Sequence, residues 1–120
     1  MLISKFDTEI DEVRIEGHTS SEWSSNAESR EAFIKNMKLS QARTRTVLEY
    51  SINLPEMKYF EPWVIKKMSA NGLSSSRLII EHGVENKNRS RRVEFTVKTK
   101  TKEAMFRILD KISPAVEKSF

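Results

Sequence analysis

Between Asn26 and Asn53 the chain carries a long helical pattern, with Ser29–Asn36 open between joining the helix and forming a separate turn, set between two short stretches of alternating polar and apolar residues. On the near side, Val13 and Ile15 alternate with Arg14 and Glu16. On the far side, Met68, Ala70 and Gly72 alternate with Lys67, Ser69 and Asn71. Alternation of this kind marks half-buried strands. A helix between two strands permits the crossover connection that parallel strands require. The chain is therefore read as α+β, a small mixed sheet with helices packed on one side.

The helix boundaries follow from local chemistry. Ser25 and Glu28 stand at capping-box spacing and place the start near Asn26, and Pro55 stops the helix. Leu39, Ala42, Thr46, Val47, Tyr50 and Leu54 are expected on its buried face, with Lys38, Gln41, Arg45 and Glu49 opposite. Upstream, Ile3, Phe6 and Ile10 are spaced as the last turns of another helix. Gly17 is expected to end the first strand, and the Ser/Thr-rich stretch from His18 to Ser25 is a loop. Downstream, Tyr59–Ile65 forms a short helix with Phe60, Trp63 and Val64 as buried candidates. Lys67–Asn71 is a strand turning at Asn71-Gly72. Leu78–Ile80 is undecided, and Glu85–Ser90 is polar loop or a single helical turn. Val93, Phe95 and Val97 alternate with Arg92, Glu94, Thr96 and Lys98 in the clearest strand, with an antiparallel return left open. Met105, Ile108, Leu109 and Ile112 mark an amphipathic helix, Lys102–Ile112, stopped before Pro114.

Composition narrows the function classes. With 120 residues the chain suits one domain with one core. It has no cysteine, which excludes disulfides, thiolate nucleophiles and Cys-based zinc sites. No stretch approaches the ~20 apolar residues of a membrane span. If the domain works outside the cytoplasm, its export signal or membrane anchor is expected on a longer natural chain. The formal charge of +4 favours anionic partners.

One residue sits oddly. Leu39, Arg43 and Val47 are spaced i, i+4, i+8 and share a helical stripe. A guanidinium among apolar neighbours needs an acceptor, from an internal acid or from a ligand; otherwise it lies at the stripe's edge and snorkels.

Four motifs in series resemble the OmpA-like peptidoglycan-binding domain. They are Ile15-Glu16-Gly17-His18-Thr19, then Asn36-x-x-Leu39-Ser40-x-x-Arg43, then Ser69-Ala70-Asn71-Gly72 followed by Ser76-Arg77, then Ser90-Arg91-Arg92-Val93-Glu94. The resemblance covers roughly residues 10–98 of a single domain spanning 1–120. Its version of the loop, with the Ala70–Ser76 turn, is most similar to wall-binding domains of ion-driven motor subunits, of the flagellar-stator B and Zorya anti-phage types. The resemblance implies a β-α-β-α-β fold and non-catalytic binding of peptidoglycan through diaminopimelate in the stem peptide. It further implies a place in the periplasm or envelope, no cofactor, no nucleic acid, and membrane attachment only through a segment absent here. Arg43 would clamp the ligand carboxylate with paired hydrogen bonds. Asn36 and Leu39 would shape the pocket, Thr19 would offer loop hydrogen bonds, and Arg92 would support from the last strand.

Three departures stand out. The family aspartate that faces the ligand ammonium falls on Ser20, which accepts a hydrogen bond but carries no charge. Either the site is weakened, or Glu22 supplies the charge, or a different peptide is read. Thr44 replaces the usual alanine, and Ser90 the usual asparagine. The chain is also expected to lack the family's first strand. Its loss would open the Val93–Lys98 edge to a second copy, giving a homodimer, unless the C-terminal segment covers it.

Other readings compete less well. His18 and His82 are far apart and make a poor metal site; local hydrogen bonding in loops is the ordinary expectation for both. Ser20, Ser21 and His18 are close in sequence, but no nucleophile elbow or phosphate loop is present. Lys87, Arg89, Arg91, Arg92, Lys98, Lys100 and Lys102 form a basic stretch that keeps a nucleic-acid-binding or protein-interaction domain as the alternative. Glu85, Glu94 and Glu103 interrupt it, and its aromatic, Phe95, is expected in the core. Trp63 is expected in the core as well, while Trp23 is open between core and ligand roles.

Overall fold

The computed structural model describes residues 9–100 and Asp110. Strand β1 (Ile10–His18) leads through a long loop into helix α1 (Ser29–Ile52). A 3₁₀ segment (Pro55–Phe60) and helix α2 (Glu61–Lys67) follow, then β2 (Met68–Gly72). A two-stranded hairpin of β3 (Ile80–Glu81) and β4 (Val84–Glu85), one turn of helix α3 (Lys87–Ser90) and β5 (Arg92–Thr99) complete it. The expected helix around Ile3 and Phe6 and the expected Lys102–Ile112 helix lie outside the described residues, Asp110 apart.

The three longer strands form one mixed sheet in the order β2-β1-β5. β1 and β2 run parallel, with Ile15 opposite Ala70 and Gly17 opposite Gly72. The crossover between them contains α1, as expected of a parallel pair. β5 returns antiparallel, with Ile15 opposite Phe95 and Gly17 opposite Val93. From Arg92 to Lys98 its outer edge has no described strand partner. Ile10 begins β1 instead of ending a helix, next to a register shift between Ile10 and Glu12, and β1 continues past Gly17 to His18.

The largest correction concerns which face of α1 is buried. That face is Ala32, Asn36, Ser40 and Thr44, a stripe of small and polar residues, while Thr46 and Tyr50 are exposed. Apolar periodicity missed it because the helix lies too close to the sheet for large side chains. A Cβ on Gly17 would stand 2.8 Å from Thr44 Cγ2 and 2.9 Å from the Ser40 carbonyl oxygen. One on Gly72 would stand 2.5 Å from the Gln41 backbone nitrogen. The hydroxyls are satisfied inside the helix: Ser40 donates to the Met37 carbonyl and Thr44 to that of Ser40. Back-bonding of this kind lets a buried Ser or Thr avoid the cost of an unpaired hydroxyl. The start of α1 also differs from expectation. Residues 24–27 form a turn closed by the Ala27 amide on the Ser24 carbonyl, so the capping-box spacing serves no cap, and Glu28 precedes the helix without a side-chain cap bond.

The apolar core is modest. Ile10, Ile15, Ala32 and Val64 are buried, with Val13, Trp63 and Val97 packed against Ile10. Phe60 is half-buried. Phe95 is 59% exposed, contrary to expectation. It shares the helix-bearing face with Ile15, but α1 packs chiefly across β2 and β1. The β3–β4 hairpin turns at His82 and Gly83, both with positive φ (54° and 77°), as a two-residue type I′ turn requires.

Candidate functional site

The loop after β1 is pinned to the helix before it reaches solvent. Thr19 donates its backbone N–H to the Ser74 carbonyl at 2.9 Å, and Leu73 donates to the Gly17 carbonyl. Ser74, buried and at φ 52°, donates its N–H to the Ser40 hydroxyl oxygen and its own hydroxyl to the Phe33 carbonyl at 2.7 Å. These bonds hold the non-glycine residue in the left-handed region. Asn36, 3% exposed, then donates its amide to the carbonyls of both Ser20 and Glu22 at 3.2 Å each. Beyond that, Ser21 donates its N–H and its hydroxyl to the Glu85 carboxylate, fastening the loop to the hairpin.

This clasp leaves a cavity of about 230 Å³ between the loop and α1. Thr19, Ser20, Glu22, Trp23, Asn36, Leu39, Arg43 and Arg91 line it. Six residues expected from sequence thus meet in one place: Thr19, Ser20, Glu22, Asn36, Leu39 and Arg43. Arg92 does not join them. Its guanidinium is turned to the Arg77 and Ser90 carbonyls and to Glu94. Arg91, its neighbour, lines the cavity instead: it caps α3 in extended backbone just before β5, and successive residues of extended backbone point to opposite faces. The wall also includes Trp23, whose ring has the Lys35 ammonium 5.8 Å from its centroid. Strand alternation is the signal that separates Arg91 from Arg92; the Arg-Arg dipeptide alone does not.

The electrostatics of the cavity are lopsided. Glu22 faces Arg91 and Lys87, each at 3.5 Å. Arg91 is further steadied by the Asn88 side-chain oxygen at 3.1 Å. Arg43 is exposed and makes no hydrogen bond or ion pair among the described residues. It flanks the buried stripe, one position before Thr44, and lines the cavity together with Leu39. The Ser20 hydroxyl accepts the Glu22 N–H at 3.3 Å. A second cavity of about 620 Å³ adjoins the first, sharing Glu22 and Arg91, and is walled by the hairpin and α3.

On the sheet face away from α1, charges are answered. Thr96 donates to Glu16, which also faces Arg77 at 3.7 Å. Arg92 bonds Glu94 at 2.5 Å and holds that carboxyl below the usual carboxylate range. His18 is not a loop histidine with local hydrogen bonds. It ends β1 with a fully buried ring, and neither nitrogen has a hydrogen-bond partner among the described residues. Glu94 stands 3.6 Å from Nε2, too far for a bond. Burial, and then the Arg92 charge, push the His18 pKa below its ordinary value. No hydrogen bond joins His18 to Ser20 or Ser21 among the described residues, so these three form no nucleophile–base pair. His82 is exposed in the hairpin turn.

The fold is thus a mixed-sheet α+β domain with one helical crossover and a residue-sized cleft beside it, compatible with the OmpA-like architecture. No family model matches the chain. The chain is similar to Zorya protein ZorB of Escherichia coli (strain Crooks), 42% identical over 99 residues. That match covers 82% of this chain and 42% of the relative, so the chain spans less than half of that protein's length.

Proposed function

We propose that this domain binds peptidoglycan without cutting it and serves as the cell-wall anchor of a Zorya-type, stator-like envelope complex acting against phage. Arg43 is the clamp on a carboxylate of the stem peptide. The observation that carries this reading is the cleft itself: Arg43, a cation without a hydrogen-bond or ion-pair partner among the described residues, lines a cavity together with the loop and helix residues that a wall-binding site needs. A planar guanidinium meets a carboxylate through two parallel hydrogen bonds, and no described residue occupies that role for Arg43. Thr19, Ser20, Glu22, Asn36 and Leu39 shape the cleft, Asn36 by holding the loop carbonyls. Arg91 joins them, and Arg92 acts at a distance through Glu94 and the Arg77 carbonyl.

The similarity to Zorya protein ZorB supports the placement in such a complex, and wall binding places the domain in the periplasm. The nucleic-acid alternative is disfavoured by the pairing of the basic stretch. Arg89 meets Glu81, Arg92 meets Glu94, Lys98 meets Glu12, and Lys87 and Arg91 share Glu22. Cations already answered release few counterions on meeting a polyanion.

Cosedimentation with purified peptidoglycan sacculi tests the proposal. Wild-type protein is expected in the pellet and Arg43→Ala protein, still folded, in the supernatant. Equal pelleting of the folded variant overturns the clamp, and release of soluble wall fragments overturns the non-catalytic assignment.

A further inference from the structure

The charges around the cleft say what kind of ligand fits it. Three carboxylates border the two adjoining cavities, and each is engaged. Glu22 faces Lys87 and Arg91, Glu81 pairs with Arg89, and Glu85 accepts two hydrogen bonds from Ser21. In the smaller cavity the ionisable groups are Arg43, Arg91 and Glu22, and Glu22 already has a second cation in Lys87. Among the described residues the cleft is therefore net positive and has no uncommitted anion to receive an ammonium.

From this balance, and resting on the wall-binding reading above, we infer that the cleft selects an element bearing two carboxylates, one on Arg43 and one on Arg91, and leaves any ammonium of the ligand in solvent. The Arg91 contact with Glu22 is long and half-exposed, so it contributes little and yields to a ligand carboxylate. Asn88 keeps the Arg91 fork oriented while that exchange occurs. Ser20, with its oxygen accepting the Glu22 N–H, offers a hydroxyl hydrogen to such a carboxylate and not a charge to an amine.

Calorimetry with three soluble probes tests the inference: N-acetyl-L-Ala-γ-D-Glu-meso-diaminopimelate, the same peptide acetylated on its free amine, and the same peptide with two of its three carboxylates amidated so that one is left. Acetylation of the amine is expected to leave affinity unchanged or raise it. Amidation down to one carboxylate is expected to cost about tenfold or more, the weight of one charge-assisted contact. Arg91→Ala is expected to lower affinity for the free-amine peptide by a similar factor, and Glu22→Gln to raise it. A tenfold loss on acetylation, or weaker binding by Glu22→Gln protein, overturns the two-carboxylate assignment while leaving wall binding intact. Failure of all three peptides to bind overturns wall binding and this inference with it.

Discussion

Two charged regions flank the end of β1, and they are built to opposite rules. On the sheet face away from α1, Glu16, Thr96, Arg77, Arg92 and Glu94 answer one another around the buried His18 ring. In the cleft on the other side, Arg43 has no partner among the described residues and Glu22 is held only by long, half-exposed contacts. The first region spends its charges on holding β1 to β5. The second leaves a charge unspent, which stability alone does not require. Adjacent arginines in the sequence, Arg91 and Arg92, fall one into each region, so a dipeptide motif serves both.

The contrast can be broken by substitution. The largest effect is expected where the scaffold under both regions is tightest. Gly72→Ala forces a Cβ onto the Gln41 backbone and should cost about 3 kcal/mol, a fall in Tm on the order of 10–20 °C by thermal unfolding. Asn36→Ala frees the Ser20 and Glu22 carbonyls and should cost about 2 kcal/mol, with loss of wall binding as the loop relaxes. By comparison, Arg43→Ala should stay within about 0.5 kcal/mol of wild type in chemical denaturation. A Tm drop for Arg43→Ala as large as that for Asn36→Ala would show that Arg43 belongs to the scaffold and erase the distinction.

A pH titration separates the regions next. His18 has a lowered pKa in the folded state, so the unfolded chain binds its proton more readily. Its stabilising contribution is full above the unfolded value near 6.5 and is lost as pH falls from there towards the folded value. Wild-type stability should therefore decline below about pH 6.5, and His18→Gln should flatten that decline. Glu94, with its lowered pKa, contributes a further loss only at more acidic pH, as the solution falls through its folded value. An unchanged decline in the His18→Gln protein would assign the acid sensitivity elsewhere. The smallest expected effect is on selectivity: Ser20→Asp, placing an acid in the cleft, should reverse the peptide preference so that the free-amine probe binds more tightly than its acetylated form. Identical preferences in the two proteins would remove Ser20 from the recognition surface.

Strands β1, β2 and β5, the long helix and its stop at Pro55 were legible because alternation and helical periodicity are local properties of the chain, and the parallel pairing of β1 and β2 followed from the helix between them, whereas the two-residue strands β3 and β4 are too short to alternate. The residues of the cleft, from Thr19 to Arg43, were legible as a motif set. Only the tertiary structure decided which face of α1 is buried, because the close approach at Gly17 and Gly72 selects Ala32, Asn36, Ser40 and Thr44 by size, which a hydrophobicity pattern does not register. It also decided that Arg91 and not Arg92 enters the cleft, and that Phe95 stays exposed. Those outcomes depend on which strand lies beneath the helix and which way each side chain points from it, and that is a property of the assembled sheet.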